Sequence, residues 1–130
     1  MTPTAAEISA APASMQRELI EAVWLERNPE PPVELAPLAY IPESEAVGAY
    51  AEWLNAKAHL MLILGLGAFV DAVIAMVPEG RKWSLHSTAR NRAGWEACLW
   101  PISQNDAFRW PAASTPALAL LAALVAAGEA

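Results

Sequence analysis

The sequence has little of the chemistry on which many small proteins depend. Of its 130 residues, one is cysteine and two are histidine. The single cysteine, Cys98, excludes an intramolecular disulfide, and a lone thiol in a chain of this composition is typical of a reducing cytosol. A basic segment followed by an apolar segment, the mark of a secretory signal, is missing from the first residues. These features predict a small soluble protein in the cytoplasm of a bacterial cell.

Charge is unevenly distributed along a chain whose net charge is −6. Residues 1–56 hold nine glutamates against two arginines, whereas residues 81–109 hold five basic residues against two acidic ones. The acidic front half repels polyanions, which argues against binding of long nucleic acid. The basic segment can attract a small anion, or it can simply face the acidic half across a solvated surface.

The N-terminal part of the sequence alternates predicted helix with extended chain. Residues 1–13 are small and rich in alanine and proline, which predicts a flexible arm. Ser14 is placed to cap a helix over Met15–Arg27. Five prolines make residues 28–42 an extended linker. A second helix is expected from Ser44 to about Lys57.

Residues 58–77 are strongly apolar and allow two interpretations. One is a single-pass membrane helix through 60–77, since the run is long enough to span a bilayer. Against it, Asp71 would cost about 3 kcal/mol inside lipid, Gly65–Gly67 divides the run, and basic residues flank both ends. The other makes Leu60–Leu64 a buried strand or the last part of a helix, followed by a break at Gly65–Gly67 and a core helix over Ala68–Val77. The residues favour this second interpretation.

The C-terminal half predicts a small antiparallel sheet followed by a helix. Alternation of apolar and polar residues indicates strands over 82–87, 95–100 and 108–110. Within them, Trp83 and Leu85 are expected to face the core, His86 the polar side, and Cys98 the side away from the main core. Thr115 as N-cap and Gly128 as C′ residue bound an alanine- and leucine-rich final helix.

Together these elements give an α+β fold, with a sheet of two or three antiparallel strands packed against about four helices in the order α-α-α-β-β-(β)-α. Residues 14–130 are expected to form one domain, because a chain of this length fills a single core. No internal repeat is visible.

Four short motifs then point to a family. They are an Asp-Ala pair (Asp71-Ala72) ahead of Val-Pro-Glu-Gly (Val77–Gly80), a tryptophan that opens a strand (Trp83), a Gly-Trp strand start (Gly94-Trp95), and Ala-Ser-Thr-Pro-Ala-Leu-Ala-Leu (Ala113–Leu120). Over roughly residues 68–128 the chain resembles small uncharacterised prophage proteins similar to the phage ABA sandwich domain. The resemblance implies helices packed around a small antiparallel sheet and supplies no active-site residues.

Catalytic and metal sites find little support. His59, His86 and Cys98 are the good nitrogen and sulfur ligands, and they follow no recognised metal-binding spacing. A contact between His86 and Cys98 across neighbouring strands is geometrically possible, but no orienting residue for a Cys–His enzyme can be identified. We therefore expect no catalytic residues, no metal and no cofactor.

One candidate binding surface combines aromatic and basic residues, a pairing that suits a nucleotide base and its phosphate. Its members are Arg81, Arg90, Arg92, Trp100, Arg109 and Trp110. The alternative is that the arginines solubilise a loop beside core tryptophans.

The sequence thus leaves three hypotheses for function. The first is a non-enzymatic phage or prophage accessory protein that associates with itself or with a protein partner, because apolar content is high and six tryptophans are present. The second is a binder of a small anion or nucleotide, such as a counter-defence sponge. The third is the single-pass membrane protein.

Overall fold

A computed structural model describes residues 2–31, 45–87, 94–100 and 108–129. The elements in chain order are α1 (Ala5–Ala10), a 3-10 turn (Ala13–Met15), α2 (Gln16–Arg27), α3 (Glu45–Gly65), α4 (Phe69–Ile74), β1 (Lys82–Ser87), β2 (Trp95–Trp100), β3 (Phe108–Ala113) and α5 (Pro116–Glu129). The predicted α+β class is confirmed, and the antiparallel sheet has three strands in the order β1-β2-β3.

Helix α1 occupies part of the segment for which the sequence predicts a flexible arm. The Thr4 hydroxyl accepts a hydrogen bond from the Glu7 amide at 3.2 Å, and the Glu7 carboxylate accepts one from the Thr4 amide at 3.4 Å. This capping box starts the helix, and its apolar side buries Ala5 and Ile8. The structure differs from the prediction over residues 5–10 because composition alone does not reveal a capping box or a surface that receives Ile8.

Helix α2 follows the prediction except at its start. Ser14 lies in the 3-10 turn, and the residue at the N-cap is Met15, whose side chain makes no capping bond. The helix buries Ile20, Val23 and Trp24 along one stripe. Of the predicted linker, the structure describes residues 28–31; the rest of it and the predicted cap Ser44 lie outside the described residues.

The apolar run breaks where its glycines predict. Helix α3 ends at Gly65, and Gly67 takes the left-handed conformation with φ 74°. The amides of Gly67 and Ala68 donate back to the carbonyls of Leu64 and Ile63, both at 3.1 Å, which forms a Schellman motif. Gly67 is needed here because a side chain disfavours this backbone conformation.

Helix α4 then begins at Phe69, so residues 60–77 do not form a continuous helix. Ala72 and Val73 of α4 are buried, whereas Asp71 faces solvent. Within the described part of the chain, no helix combines the length and apolar character that a membrane span requires. The hypothesis of a single-pass helix through 60–77 is therefore wrong, because two closely spaced glycines allow the chain to turn.

The sheet packs one face against α5. Ala97 and Leu99 of β2 belong to the core beneath it, and Trp95 and Leu85 pack at its margin. Trp83 differs from its prediction, since it is 38% exposed. It lies on the edge strand β1, which touches α5 much less than β2 and β3 do.

Helix α5 is the centre of the fold. Every residue from Ala117 to Val125 is buried, because the sheet covers one side of the helix while α1, α4 and α2 cover the other. Thr115 caps the helix as predicted, its hydroxyl accepting from the Leu118 amide at 3.1 Å. The helix continues to Glu129, so Gly128 does not end it as predicted.

Candidate functional site

The predicted aromatic-basic surface is partly visible. Arg90 and Arg92 lie outside the described residues. The backbone of Arg109 pairs with Cys98 and that of Trp110 with Ala97, and their side chains are likewise outside the description. Trp100 is half-buried at the end of β2, and its register partner is the exposed Lys82. One aromatic residue and one basic residue thus occupy opposite register positions at this end of the sheet.

Arg81 has a different neighbour from those the sequence suggests. Arg27 donates from Nη2 to the carbonyl of Leu124 at 3.2 Å, which ties α2 to α5. Partial burial lowers the pKa of Arg27, and the nearby positive charge of Arg81 lowers it further. Arg81 is therefore close enough to α2 to act on Arg27.

An open cavity of about 320 Å³ lies beside Arg27. Among the described residues of its lining, Glu26 and Arg27 carry charge, and Val23 and Val125 form part of its apolar wall. Arg81 adds positive charge near Arg27 but is not one of the described lining residues, so within the lining one acid offsets one base. The cavity therefore adds nothing to the small-anion hypothesis, which stays a prediction.

Helix α3 carries an apolar stripe on its outer side. Leu54, Ala58 and Leu62 of the helix, and Leu66 in the turn that closes its C-terminus, follow one another at intervals of four residues, which places them in one row. Among them, Leu54 is 44% exposed, Leu62 is 61% exposed and Leu66 is 76% exposed. We call these four residues the α3 stripe. Large apolar side chains exposed side by side are typical of association surfaces.

The opposite side of α3 is held by aromatic contacts. The Trp53 indole donates to the carbonyl of Asn28 at 2.7 Å, and its ring lies 6.3 Å from that of Trp24. Tyr50 stacks on Trp53 at 5.9 Å, and the Lys57 ammonium lies 5.2 Å from the Trp53 ring centre. These contacts fix the rotation of α3, and so they keep the α3 stripe turned outward.

A second constellation lies on the sheet face that points away from α5. The ligand-bearing atoms of His86, Glu96 and Cys98 all lie within 4.8 Å of one another. His86 is exposed, Glu96 is half-buried, and Cys98 is only 2% exposed. Imidazole, carboxylate and thiol therefore converge at a position with one side open to solvent.

The three members of this cluster follow no linear spacing, so the sequence pattern does not reveal them as a set. His86 is predicted on the polar side of β1, which agrees with its exposure, and a contact with Cys98 is geometrically possible from the strand order, but nothing in the pattern indicates Glu96. The strand register is the signal that identifies all three. His86 lies opposite Glu96, and Cys98 follows Glu96 by two residues on β2, so it shares the same face of the sheet. Register depends on the turn between the strands, which the alternation pattern does not specify.

Comparison with known proteins adds no assignment: no family model, no curated protein and no solved structure matches the chain.

Proposed function

We propose that this protein is a non-enzymatic accessory protein of a phage or prophage, and that it acts by pairing with a second copy of itself through the α3 stripe. The phage setting is supported by the sequence resemblance alone. The pairing is supported by the exposure of Leu62 and Leu66, 61% and 76%, in one row on α3. Burying a leucine side chain fully is worth about 1.5–3 kcal/mol, so such a row gains from a partner.

The order of residues in the stripe favours a second copy over an unrelated partner. Leu54 and Leu62 lie four residues before and after Ala58, so these three residues are symmetric about that small residue, while Leu66 extends the row at one end. Two copies that cross antiparallel at Ala58 place Leu54 of each against Leu62 of the other. A two-fold interface needs this kind of self-complementary surface.

Small, uncharged neighbours allow the two helices to approach. Ala51 and Gly65 flank the row at equal distances from Ala58, and both are exposed. Because 3.6 residues complete one helical turn, the charged residues Glu52 and Lys57 lie about 100–120° around the helix axis from Ala58 and outside the row. Small residues at a helix crossing permit short distances between the helix axes.

Sedimentation velocity of the full chain tests the proposal. We expect the wild-type protein to shift from monomer to dimer as its concentration rises, and Leu62→Glu to remain monomeric. Ala56→Glu is the matched control, because it adds the same charge at an exposed position of α3 outside the stripe. Circular dichroism checks that both variants keep their helices.

The symmetry of the pairing has its own test. If two copies cross at Ala58, Ala58→Cys forms a disulfide-linked dimer under mild oxidation, whereas Ala56→Cys does not. The native Cys98 is buried and contributes little background. A monomeric wild type at every concentration would refute self-association. Equal disruption by Leu62→Glu and Ala56→Glu would refute pairing through the α3 stripe. A dimer that Ala58→Cys fails to link would refute the crossing point.

A further inference from the structure

The antiparallel register of β1 and β2 brings a potential ligand set onto one face of the sheet. His86 lies directly opposite Glu96, and Ser84 lies directly opposite Cys98. Alternate residues of a strand share a face, so all four residues lie on the side away from α5. The arrangement is short-range across two paired strands, so it does not depend on how the helices pack.

We propose that His86, Glu96 and Cys98 bind a single zinc ion, a site that is separate from the α3 stripe. Their ligand-bearing atoms lie within 4.8 Å of one another. Zinc takes nitrogen, oxygen and sulfur ligands at about 2.0–2.3 Å, which places the ligands of a tetrahedral site about 3.3–3.7 Å apart. Side-chain rotation at His86 and Glu96, which are exposed and half-buried, closes the remaining distance.

The chemistry of the donors selects the metal. A thiolate with an imidazole suits a borderline-soft ion such as zinc, whereas magnesium and calcium prefer oxygen ligands alone. Cys98 is 2% exposed, so its sulfur lies at the floor of the site, and exposed His86 lies at the rim. This gradient gives the ion an entry path from solvent and shields the metal–sulfur bond.

Ser84 provides a second observation at the same place. Its hydroxyl oxygen is buried, and it has no hydrogen-bond partner among the residues that the structure describes. Buried polar atoms without partners are uncommon and call for an explanation. A thiolate ligand, or a water on the ion, would accept a hydrogen bond from a donor at this position, as groups around metal sites commonly do.

Three protein ligands leave one position of a tetrahedral site for water. Two of the ligands come from β2 and one from β1, so the ion links the edge strand to the centre of the sheet. Binding to the folded state alone stabilises that state by mass action. Metal-bound protein is therefore expected to unfold at a higher temperature than metal-free protein.

Cobalt(II) titration of the metal-free full chain tests the site, because cobalt replaces zinc and reports its ligands by absorption. We expect one ion per chain, a sulfur-to-cobalt charge-transfer band, and displacement by zinc. Cys98→Ser should lose the band, and His86→Ala and Glu96→Gln should each weaken binding at least tenfold. His59→Ala is the matched control, since His59 is an exposed histidine on α3 and should leave binding unchanged.

Cys98 is buried, so a substitution there can unfold the chain. His86 is exposed, so His86→Ala is expected to stay folded and still tests the site. A titration that gives no sulfur-to-cobalt band in the wild type would overturn the proposal. Cobalt binding by His86→Ala and Glu96→Gln that is as tight as in the wild type would also overturn it. So would weaker cobalt binding by His59→Ala, because that result would indicate adventitious binding by a surface histidine. Zinc should also raise the unfolding temperature of the wild type and of His59→Ala, and not that of His86→Ala.

Discussion

Helices α3 and α5 are both rich in alanine and leucine but have opposite surroundings. Helix α5 is buried from Ala117 to Val125, whereas α3 exposes Leu54 and Leu62, and Leu66 directly after it is exposed as well. The sheet and three helices enclose α5, whereas α3 packs mainly on α4 and, through Trp53, on Trp24. Position in the fold therefore decides which apolar residues form the core and which remain for a partner.

The largest expected effect compares the same substitution in the two helices. Leu121→Ala in α5 should lower the free energy of unfolding by about 3 kcal/mol, because it leaves a cavity in a fully buried region. Leu62→Ala in α3 should change it by less than about 0.5 kcal/mol, since that side chain is largely exposed. Urea denaturation at low protein concentration, where association contributes little, measures both values. Equal losses would show that α3 is also a core helix.

The next effect concerns the residue that anchors α3. Trp53→Ala should cost about 2 kcal/mol, because it removes the contact with Trp24 and the hydrogen bond to Asn28 from a half-buried site. Amide hydrogen exchange should then accelerate in α3 and stay slow in α5. Glu52→Ala, at an exposed position of α3 outside the stripe, is the control and should leave exchange unchanged. Uniform acceleration in both helices would show that they unfold as one unit.

A smaller effect is expected at the start of α5. Thr115→Ala should lower stability by about 1 kcal/mol, because Thr115 caps the Leu118 amide. The same hydroxyl also donates to the Gln16 side chain at 3.1 Å, which links α5 to α2. Thermal unfolding measures the loss, and Thr115→Ser, which retains a hydroxyl, should recover most of it. A Ser variant as unstable as the Ala variant would show that the cap contributes little.

The smallest effect is a pH dependence of stability that comes from Tyr50 in α3. The Tyr50 hydroxyl donates to the Glu30 carboxylate at 3.1 Å, and this bond raises the pKa of Tyr50. The folded state therefore holds the Tyr50 proton more tightly than the unfolded state. The contribution of this hydrogen bond to folding stability is fully present below the ordinary tyrosine pKa of about 10 and is lost as pH rises through the pKa of Tyr50 in the folded protein. The difference in tyrosinate absorbance between wild type and Tyr50→Phe gives that pKa, which Glu30→Gln should lower. A Tyr50 pKa that Glu30→Gln leaves unchanged would contradict the assignment.

Local signals explain why much of the fold could be predicted. The Gly65–Gly67 break, the Thr115 cap and the strands β1 and β2 depend on a few neighbouring residues, and the structure confirms each. Predictions that depended on distant contacts fared differently. The α1 segment became helix because α5 and β3 receive its apolar side, and Trp83 is exposed because α5 hardly reaches the edge strand.

The candidate sites follow the same division. The periodicity of Leu54, Ala58, Leu62 and Leu66 can be found in the sequence, but only packing shows which side of α3 stays uncovered. The His86, Glu96 and Cys98 cluster needed the strand register. Of the predicted aromatic-basic surface, Arg81 lies near Arg27, and the grouping with Trp100 remains a prediction.

The sequence by itself determined helices α2 and α5, strands β1 and β2 and the break at Gly65–Gly67, because caps, glycines and apolar periodicity act over a few residues. Only the tertiary structure decided that α5 is enclosed, that α3 presents a row of leucines to solvent, and that an imidazole, a carboxylate and a thiol converge on the outer face of the sheet. The physical reason is that burial depends on which surfaces meet, and those surfaces are contributed by residues far apart in the chain. The convergence of the three ligands depends instead on the register between two neighbouring strands.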